Sequence, residues 1–363
     1  MDATTPAGLL CAFDDLADPR RGQNIMHHLA DMLAIAICAV VCGAESWSEV
    51  AYFGRCKEPW FRTFLRLPHG IPSHDTFGRV FGLIDPEQFE RCFRTWTARL
   101  ARDKDRLVAI DGKTLRKSFD KASERAAIHM ISAWSETNHT VLGQLAVDAK
   151  SNEITAIPKL LELLDLHQTT VTMDAMGCQR QIAETIVEGR GDYILQVKDN
   201  QPTLRESLEL LFAEAMRDDC RGVPHAFATQ TNKGHGRIET RRCWTSWHVA
   251  GLAGAEGDWA GLQSVVCVER ERRIGETVSR ERHYYISSLP GRDADAMLRK
   301  IRSHWGVENR LHWCLDVQMN EDACRIRQGH GAENFSRLRR MALNQLKKDK
   351  TIKLGLKGKS KVC

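Results

Sequence analysis

Two short apolar runs, each ending in an aspartate, constrain the fold of this 363-residue chain most strongly. The first run, Leu107 to Ile110, leads into Asp111, and the second, Val171 to Met173, leads into Asp174. Runs of this length are typical of strands buried on both faces of a sheet. An unpaired buried carboxylate is costly. The repetition of an aspartate at the end of two apolar runs therefore indicates that both acids are needed there.

The segments around these runs predict a mixed α/β order. A hairpin is expected from strands at 128–134 and 140–147, followed by a helix with Pro158 near its first turn. A helix at 179–188 and a strand at 193–197 come after the second aspartate. Right-handed crossovers would set the two Asp-ended strands side by side and parallel. The carboxylates would then meet at the sheet edge where open α/β folds bind ligands.

The rest of the chain divides by its patterns. Residues 1–100 are predicted to be helical, and 203–290 form a mainly β segment with a helix at its start. Helical periodicity returns at Asp293. In a last helix at 333–348, Arg337, Arg339 and Arg340 lie off the apolar stripe.

Basic residues are concentrated near the C-terminal end. The whole chain carries a net charge of +5, whereas from Ala323 onward there are 12 Lys and Arg against 2 Asp and Glu. Such asymmetry favours a polyanionic partner, although a solvated surface helix fits equally well. One of the N-terminal helices carries His74 and Arg79, which would allow a helix-turn-helix contact with DNA. The alternative is that these helices only cover the next domain.

The sequence favours a cytoplasmic protein without membrane contact. The N-terminal residues lack a signal-peptide pattern, and the apolar stretch at 29–42 is too short for a membrane span. The 12 cysteines form no C-x-x-C pair. Reduced thiols are therefore expected, and no Cys/His spacing argues for zinc.

Carboxylates with no accompanying Cys or His indicate Mg²⁺ or Mn²⁺. Glu308 is the preferred third ligand, because an α-helix would place it on one face with His304 and His312. The rivals are Asp316, which would support the site indirectly, and the pair Glu321 and Asp322, which would lie in a solvated loop. Three carboxylates holding two metals suit in-line phosphoryl transfer. Each Asp taken singly could instead be a strand-end cap.

Three motifs resemble those of the DDE-type transposases of bacterial insertion sequences: Ala-Ile-Asp111-Gly-Lys, Met-Asp174-Ala-Met-Gly and His-Trp-Gly-Val-Glu308-Asn. The similarity is closest to the branch that includes the H-repeat-associated proteins, and it extends over nearly the whole chain. Further matching stretches are Lys233 to Arg241 and Leu311 to Val317. Wider relatives often carry Tyr, Arg and Lys at the positions of Ile301, His304 and Leu315. Here Arg302, Arg310 or His312 would supply donors instead.

The resemblance implies a ribonuclease H-like core at 101–202 and 291–345, with the β segment as an insertion before the Glu and a basic tail at 346–363. It implies catalytic metal ligands Asp111, Asp174 and Glu308, and a cut-and-join reaction on DNA ends. Expected partners are the element's terminal inverted repeats and target DNA, in a bacterial cytoplasm at the nucleoid, with a homodimer on DNA left open. Candidate DNA contacts are Lys113, Lys198, Arg237, His304, Arg310 and His312.

Two alternatives stay open at this point. One is a degenerate, non-catalytic DNA-binding protein that occupies element ends. The other is a related nuclease that cleaves nucleic acid without joining it.

Overall fold

The computed structural model describes residues 6–22, 25–100, 106–119, 126–147, 152–217, 220–234, 236–254, 257 and 259–362. The chain forms two compact units, which are considered separately. The helical unit comprises Met1–Lys104, Gly112–Asn152 and Glu308–Cys363. The sheet unit comprises Asp105–Asp111 and Glu153–Val307.

Helices and strands are numbered in chain order. The α-helices α1 to α12 span Pro6–Leu10, Leu29–Val41, Trp47–Cys56, Glu58–Phe61, His74–Leu83, Pro86–Leu100, Glu153–Glu162, Arg180–Glu188, Pro202–Arg217, Ala294–His304, Gly331–Lys348 and Leu356–Val362. The strands β1 to β9 span Leu107–Thr114, His129–Ser135, Thr140–Val147, Thr170–Met173, Asp192–Val197, His225–Gly234, Arg237–Ser246, Ser264–Ile274 and Thr277–Ser287. No helix in these ranges is long and apolar enough to cross a membrane.

Helix α11 is the central element of the helical unit. It packs against α2, α5, α6 and strand β3, so it is covered on several sides. Its apolar residues Phe335, Leu338 and Ala342 are fully buried. The hairpin of β2 and β3 is antiparallel, as expected, with a register shift at Ala133 and Trp134. This helix therefore joins segments that are distant in the sequence into one core.

The arginines of α11 correct one expectation from the sequence. Arg337, Arg339 and Arg340, expected off the buried face, are at most 2% exposed. Arg337 Nε lies 2.9 Å from Glu90 Oε2, and Arg340 Nη1 lies 2.8 Å from Glu321 Oε1. Buried charges are tolerated when they are paired. These arginines are therefore part of the core and not of a DNA-facing surface.

The sheet unit contains a mixed sheet in the order β1-β4-β5-β9-β8-β7-β6. Strands β1, β4 and β5 run parallel to one another. The remaining pairings, β5 with β9, β9 with β8, β8 with β7 and β7 with β6, are antiparallel. A core cluster that includes Ile194, Val266, Tyr285 and Leu298 packs α10 against this sheet. The expected mixed α/β organisation with a helical N-terminal region is confirmed.

Some elements differ from the sequence prediction. Pro158 lies inside α7 instead of near its first turn. A proline there removes one backbone hydrogen bond, but neighbours including Ile157, Leu160 and Leu161 are buried and hold the helix in place. No strand was predicted at the position of β6, and β8 and β9 extend well beyond the stretches 262–268 and 283–287 that the sequence indicated as strands.

Candidate active site

The register of β1 and β4 places Asp111 and Asp174 at equivalent positions. The two strands are parallel, and Ile110 pairs with Met173. Asp111 directly follows Ile110, and Asp174 directly follows Met173. Since neighbouring strands lie about 4.8 Å apart, the two residues stand side by side just beyond the last paired residues of β1 and β4. Asp174 follows the end of β4, whereas β1 continues past Asp111 to Thr114, so the expected strand end at Asp111 was wrong. Asp111 is half-buried and Asp174 is exposed. The predicted pairing of the first two acids is therefore present within the sheet unit.

A short 3-10 turn fixes the backbone after Asp174. Its Oδ1 accepts a hydrogen bond of 3.0 Å from the Met176 amide. Asn200 Nδ2 donates to the Ala175 carbonyl at 2.7 Å, so the loop after β5 supports the same turn. A side chain at Gly177 would place its Cβ 2.6 Å from Met173 Sδ. Only glycine fits this close approach, which explains the last residue of the Asp-Ala-Met-Gly motif.

His304 lies close to the second aspartate. Its Nδ1 shares a hydrogen bond of 3.1 Å with Thr172 Oγ1, two residues before Asp174. Burial lowers the pKa of His304 to about 4, although Asp174 acts in the opposite direction. The imidazole is therefore neutral at pH 7. Thr172 had no sequence signal beyond its place in the apolar run, so its role could not be predicted.

Glu308 belongs to the helical unit, whereas both aspartates belong to the sheet unit. Its side chain is exposed. Glu308 to His312 form a π-helix, and a second π-helix spans Cys314–Gln318. The argument that His304, Glu308 and His312 share one face assumed α-helical spacing, so it does not hold. π-Helical segments occur frequently at functional sites.

Lys113 does not have the surroundings of a DNA contact. It is 8% exposed and pairs with Asp316 at 2.6 Å and Asp322 at 2.8 Å. Glu321 Oε2 lies 3.5 Å from the same ammonium group. Glu321 itself is 2% exposed, so the expectation of a solvated loop was wrong for this residue. Asp316, Glu321 and Asp322, the alternatives to Glu308 as the third metal ligand, are thus partners of Lys113.

The remaining candidates differ in exposure. Lys198 is exposed and follows directly on β5, the strand beside β4. Arg237 is exposed and pairs with Glu239 at 3.1 Å. Arg310 pairs with Glu136 at 2.8 Å.

His312 is only partly exposed. Its pKa is lowered to about 4, first by burial and then by the charges of Arg340 and Lys113. Lys198 and Arg237 are therefore better placed for a phosphate than Lys113 or His312.

Within the described ranges, no group of three or more His, Cys, Asp or Glu side chains is arranged as a metal site. The structure thus places the two aspartates together in one unit. The meeting of all three acids stays a prediction.

Family models match most of the chain. Residues 10–97 match a model described as DDE_Tnp_1-associated, and residues 102–345 match one described as Transposase DDE domain. The first match covers the helical N-terminal region. The second begins just before β1 and ends within α11.

Named relatives agree with these matches. "Putative transposase YncI" of Escherichia coli O157:H7 is 43% identical over 353 residues, which are 95% of this chain and 89% of the relative. "H repeat-associated putative transposase YhhI" of Escherichia coli (strain K12) is 41% identical over 350 residues, 95% of this chain and 91% of the relative.

A solved synaptic complex of piggyBac transposase with hairpin DNA aligns with 97% of this chain and 79% of that chain. The TM-score is 0.38 and the identity 10%, so this likeness carries no argument. The family matches and the relatives suffice: the chain belongs to the DDE-domain transposases, in the branch that includes the H-repeat-associated proteins.

Proposed function

We propose that this protein cuts and joins DNA at the ends of an insertion sequence by phosphoryl transfer, with Asp111, Asp174 and Glu308 as its catalytic carboxylates. The observation that carries the proposal is the pairing of Ile110 with Met173, which aligns the two aspartates at one sheet edge. A structural strand cap would not require two carboxylates at matching positions, where like charges repel.

The residues at this edge fit a hard divalent cation. Two aspartates on neighbouring strands supply oxygen donors of the kind that Mg²⁺ and Mn²⁺ prefer. A bound cation would also remove the repulsion between them. When bound, such ions activate an attacking water or hydroxyl and stabilise the leaving oxygen. Asp111, Asp174 and Glu308 would hold the metal, and the exposure of Asp174 and Glu308 leaves both side chains accessible to it.

The chain's other groups would bind and orient the DNA. Neutral His304, held by Thr172, can exchange hydrogen bonds with substrate without adding a charge. Lys198, exposed beyond β5, is placed to contact a phosphate near the aspartates. Arg237 begins strand β7 and is a second exposed cation. Phosphate contacts of this kind position the duplex without reading its sequence.

The proposal includes the organisation of the chain. Residues 101–202 and 291–345 would form a ribonuclease H-like core, interrupted by the mainly β segment 203–290. The helical residues 1–100 and the basic tail 346–363 would contact DNA. The partners would be terminal inverted repeats and target DNA at the bacterial nucleoid. A homodimer would hold two element ends together.

Isosteric variants test the catalytic assignment. Asp111→Asn and Glu308→Gln should each lower Mg²⁺-dependent strand cleavage by more than roughly a hundredfold, since even residues that only support metal ligands cost 10–100-fold. Binding to terminal-repeat DNA should remain. The matched controls are Asp165→Asn and Glu188→Gln, both exposed acids of the sheet unit. These controls should cleave at the wild-type rate.

The readout is cleavage of a plasmid carrying the flanking repeats, with strand transfer scored on the same gel. Cleavage by both site variants at the control rate would refute the assignment. Binding without metal-dependent cleavage by the wild type would identify a non-catalytic protein that occupies element ends. Cleavage without joining would indicate a nuclease.

A further inference from the structure

The helical unit contains an open groove of about 580 Å³ where helices α3 and α5 begin. We call it the α5 groove. Its lining includes Ser46, Trp47, His74, Arg79, Arg325 and Arg327. The two helices supply the first four residues, and the loop before α11 supplies the two last arginines. No residue of the candidate active site lies in it.

Two helix N-termini open into the α5 groove. Helix α3 is capped by Ser46, which accepts a hydrogen bond from the Glu49 amide, and α5 is capped by Ser73, which accepts from the Thr76 amide. Each helix has 10 residues. The N-terminal end of a helix carries partial positive charge and attracts anions. Such ends occur throughout proteins, so an independent feature is needed to identify a site.

Trp47 supplies that feature. Its side chain packs against Phe81 and Phe335, with ring centroids 4.7 and 4.8 Å apart. The residue is only 8% exposed, and its indole Nε1 has no hydrogen-bond partner among the described residues. Nε1 lies on the side of Gly78, where an added Cβ would be 3.8 Å from it. Trp47 and Gly78 both line the groove, so this unsatisfied donor lies at its wall. Buried donors normally have a partner, and an acceptor in the groove would provide one.

The loop that carries Arg325 and Arg327 is fixed against α5. The His330 amide donates to the Gly82 carbonyl at 2.9 Å. Gly329 has φ +52°, and a Cβ there would lie 2.3 Å from the same carbonyl. Asn334 Nδ2 bonds the Phe81 carbonyl at 2.8 Å. The arginines are therefore mounted on a loop whose path is set before any ligand binds.

The charges of the groove suit an extended anion. Arg79, Arg325 and Arg327 are exposed, and Arg327 lies over the Phe119 ring at 5.1 Å. The lining also includes two carboxylates. Glu45 is held by Asn320 Nδ2 at 2.7 Å, and Asp75 lies 3.4 Å from His74 Nε2. Three arginines spread along an open surface match successive phosphates better than one small anion.

We propose that the α5 groove binds the phosphate backbone of duplex DNA, with Arg79 and Arg325 contacting phosphates and the Trp47 indole donating a hydrogen bond. This inference deepens the proposed function, on which it rests, by adding a contact surface in the helical unit. Because the contacts are to phosphates, the groove would bind DNA without regard to sequence.

Salt dependence provides the test. The full chain and an Arg79→Ala/Arg325→Ala variant are titrated against a duplex of about 30 base pairs at several KCl concentrations, by fluorescence anisotropy. The slope of log K against log salt is negative, and each phosphate contact contributes about −0.9 to it. Loss of two contacts should therefore make the slope of the variant less steep by about 1.8. The control, Arg221→Ala/Arg299→Ala, removes two exposed arginines of the sheet unit, neither of which is among the proposed DNA contacts. It should keep the wild-type slope.

A second variant tests the indole. Trp47→Phe keeps an aromatic ring against Phe81 and Phe335 but removes the N–H donor, so affinity should fall about fivefold, the value of one hydrogen bond, with no change in slope. Circular dichroism verifies that each variant is folded.

An unchanged slope in the groove variant would overturn the inference, and so would an equal loss in the control, because net charge would then explain the effect. If the wild type cleaves element ends while the groove variant binds as tightly as the wild type, only the groove proposal fails. If the wild type does not bind duplex DNA, the proposed function fails with it.

Discussion

Replacing Glu321 with glutamine should destabilise the helical unit strongly. Glu321 is fully buried, and its Oε1 accepts hydrogen bonds from Arg340 Nη1 and Ser336 Oγ, each at 2.8 Å. Burial alone would raise the pKa of this carboxyl, but Arg340, Lys113 and Arg339 together lower it from 4.5 to about 2. At about 1.4 kcal/mol per pKa unit, the ionised form contributes roughly 3 kcal/mol to folding.

The sign of the pH dependence follows from the lowered pKa. The stabilisation is fully present above pH 4.5 and is lost as the pH falls toward about 2. In the Glu321→Gln variant the buried charges of Arg340 and Lys113 lose a shared partner, which is a costly arrangement. The free energy of unfolding should therefore fall by about 3 kcal/mol at pH 7. The difference from the wild type should shrink as the pH is lowered.

Urea denaturation followed by tryptophan fluorescence at pH 7, 5 and 3.5 measures this difference. Glu206→Gln, an exposed acid of α9, serves as the control and should change stability by less than about 0.5 kcal/mol. A loss below about 1 kcal/mol for Glu321→Gln, or a difference that does not vary with pH, would refute the account of this carboxyl.

Two further predictions concern buried histidines and a strained glycine. Because the pKa values of His304 and His312 are lowered to about 4, their imidazole NMR signals should not titrate between pH 8 and 5.5, and a midpoint near 6.5 for either would contradict the packing. Gly329→Ala should destabilise the protein by more than about 2 kcal/mol, since its Cβ would lie 2.3 Å from the Gly82 carbonyl oxygen at φ +52°. Gly275→Ala, at φ +57° with open space around it, should cost only about 1 kcal/mol, and equal losses for the two would refute the argument from close contact.

The sequence predicted the positions of both aspartates after buried strand residues, because apolar runs and their ends are local signals; it did not predict that β1 continues to Thr114. Parallel pairing followed from the handedness of crossovers, and the register of Ile110 with Met173 agrees with it. Strand β6 carries no such signal, since most of its side chains are polar and exposed. It pairs along its whole length with β7, so tertiary pairing determines this strand.

Other features depend on residues that are distant in the chain. The burial of Arg337 requires Glu90, 247 positions away, and Lys113 reaches Asp322 across 209 positions. No local pattern distinguishes such an arginine from one on a surface. The π-helix at Glu308 was missed for another reason: π-helices are rare and occur mostly as single turns inside α-helices, so a helical pattern predicts α-helical spacing. The α5 groove likewise joins residues near position 75 with residues near 325.

Iron-directed cleavage of the chain tests the central claim most directly, namely that Asp111, Asp174 and Glu308 hold the same metal. Fe²⁺ substituted for Mg²⁺ generates hydroxyl radicals with peroxide, and these cut the backbone near the bound ion. The account predicts cuts in three segments, around residues 111, 174 and 308, all suppressed by excess Mg²⁺ and lost in Asp174→Asn. Cuts at the two aspartates with none near Glu308, or cuts that persist in that variant, would contradict it.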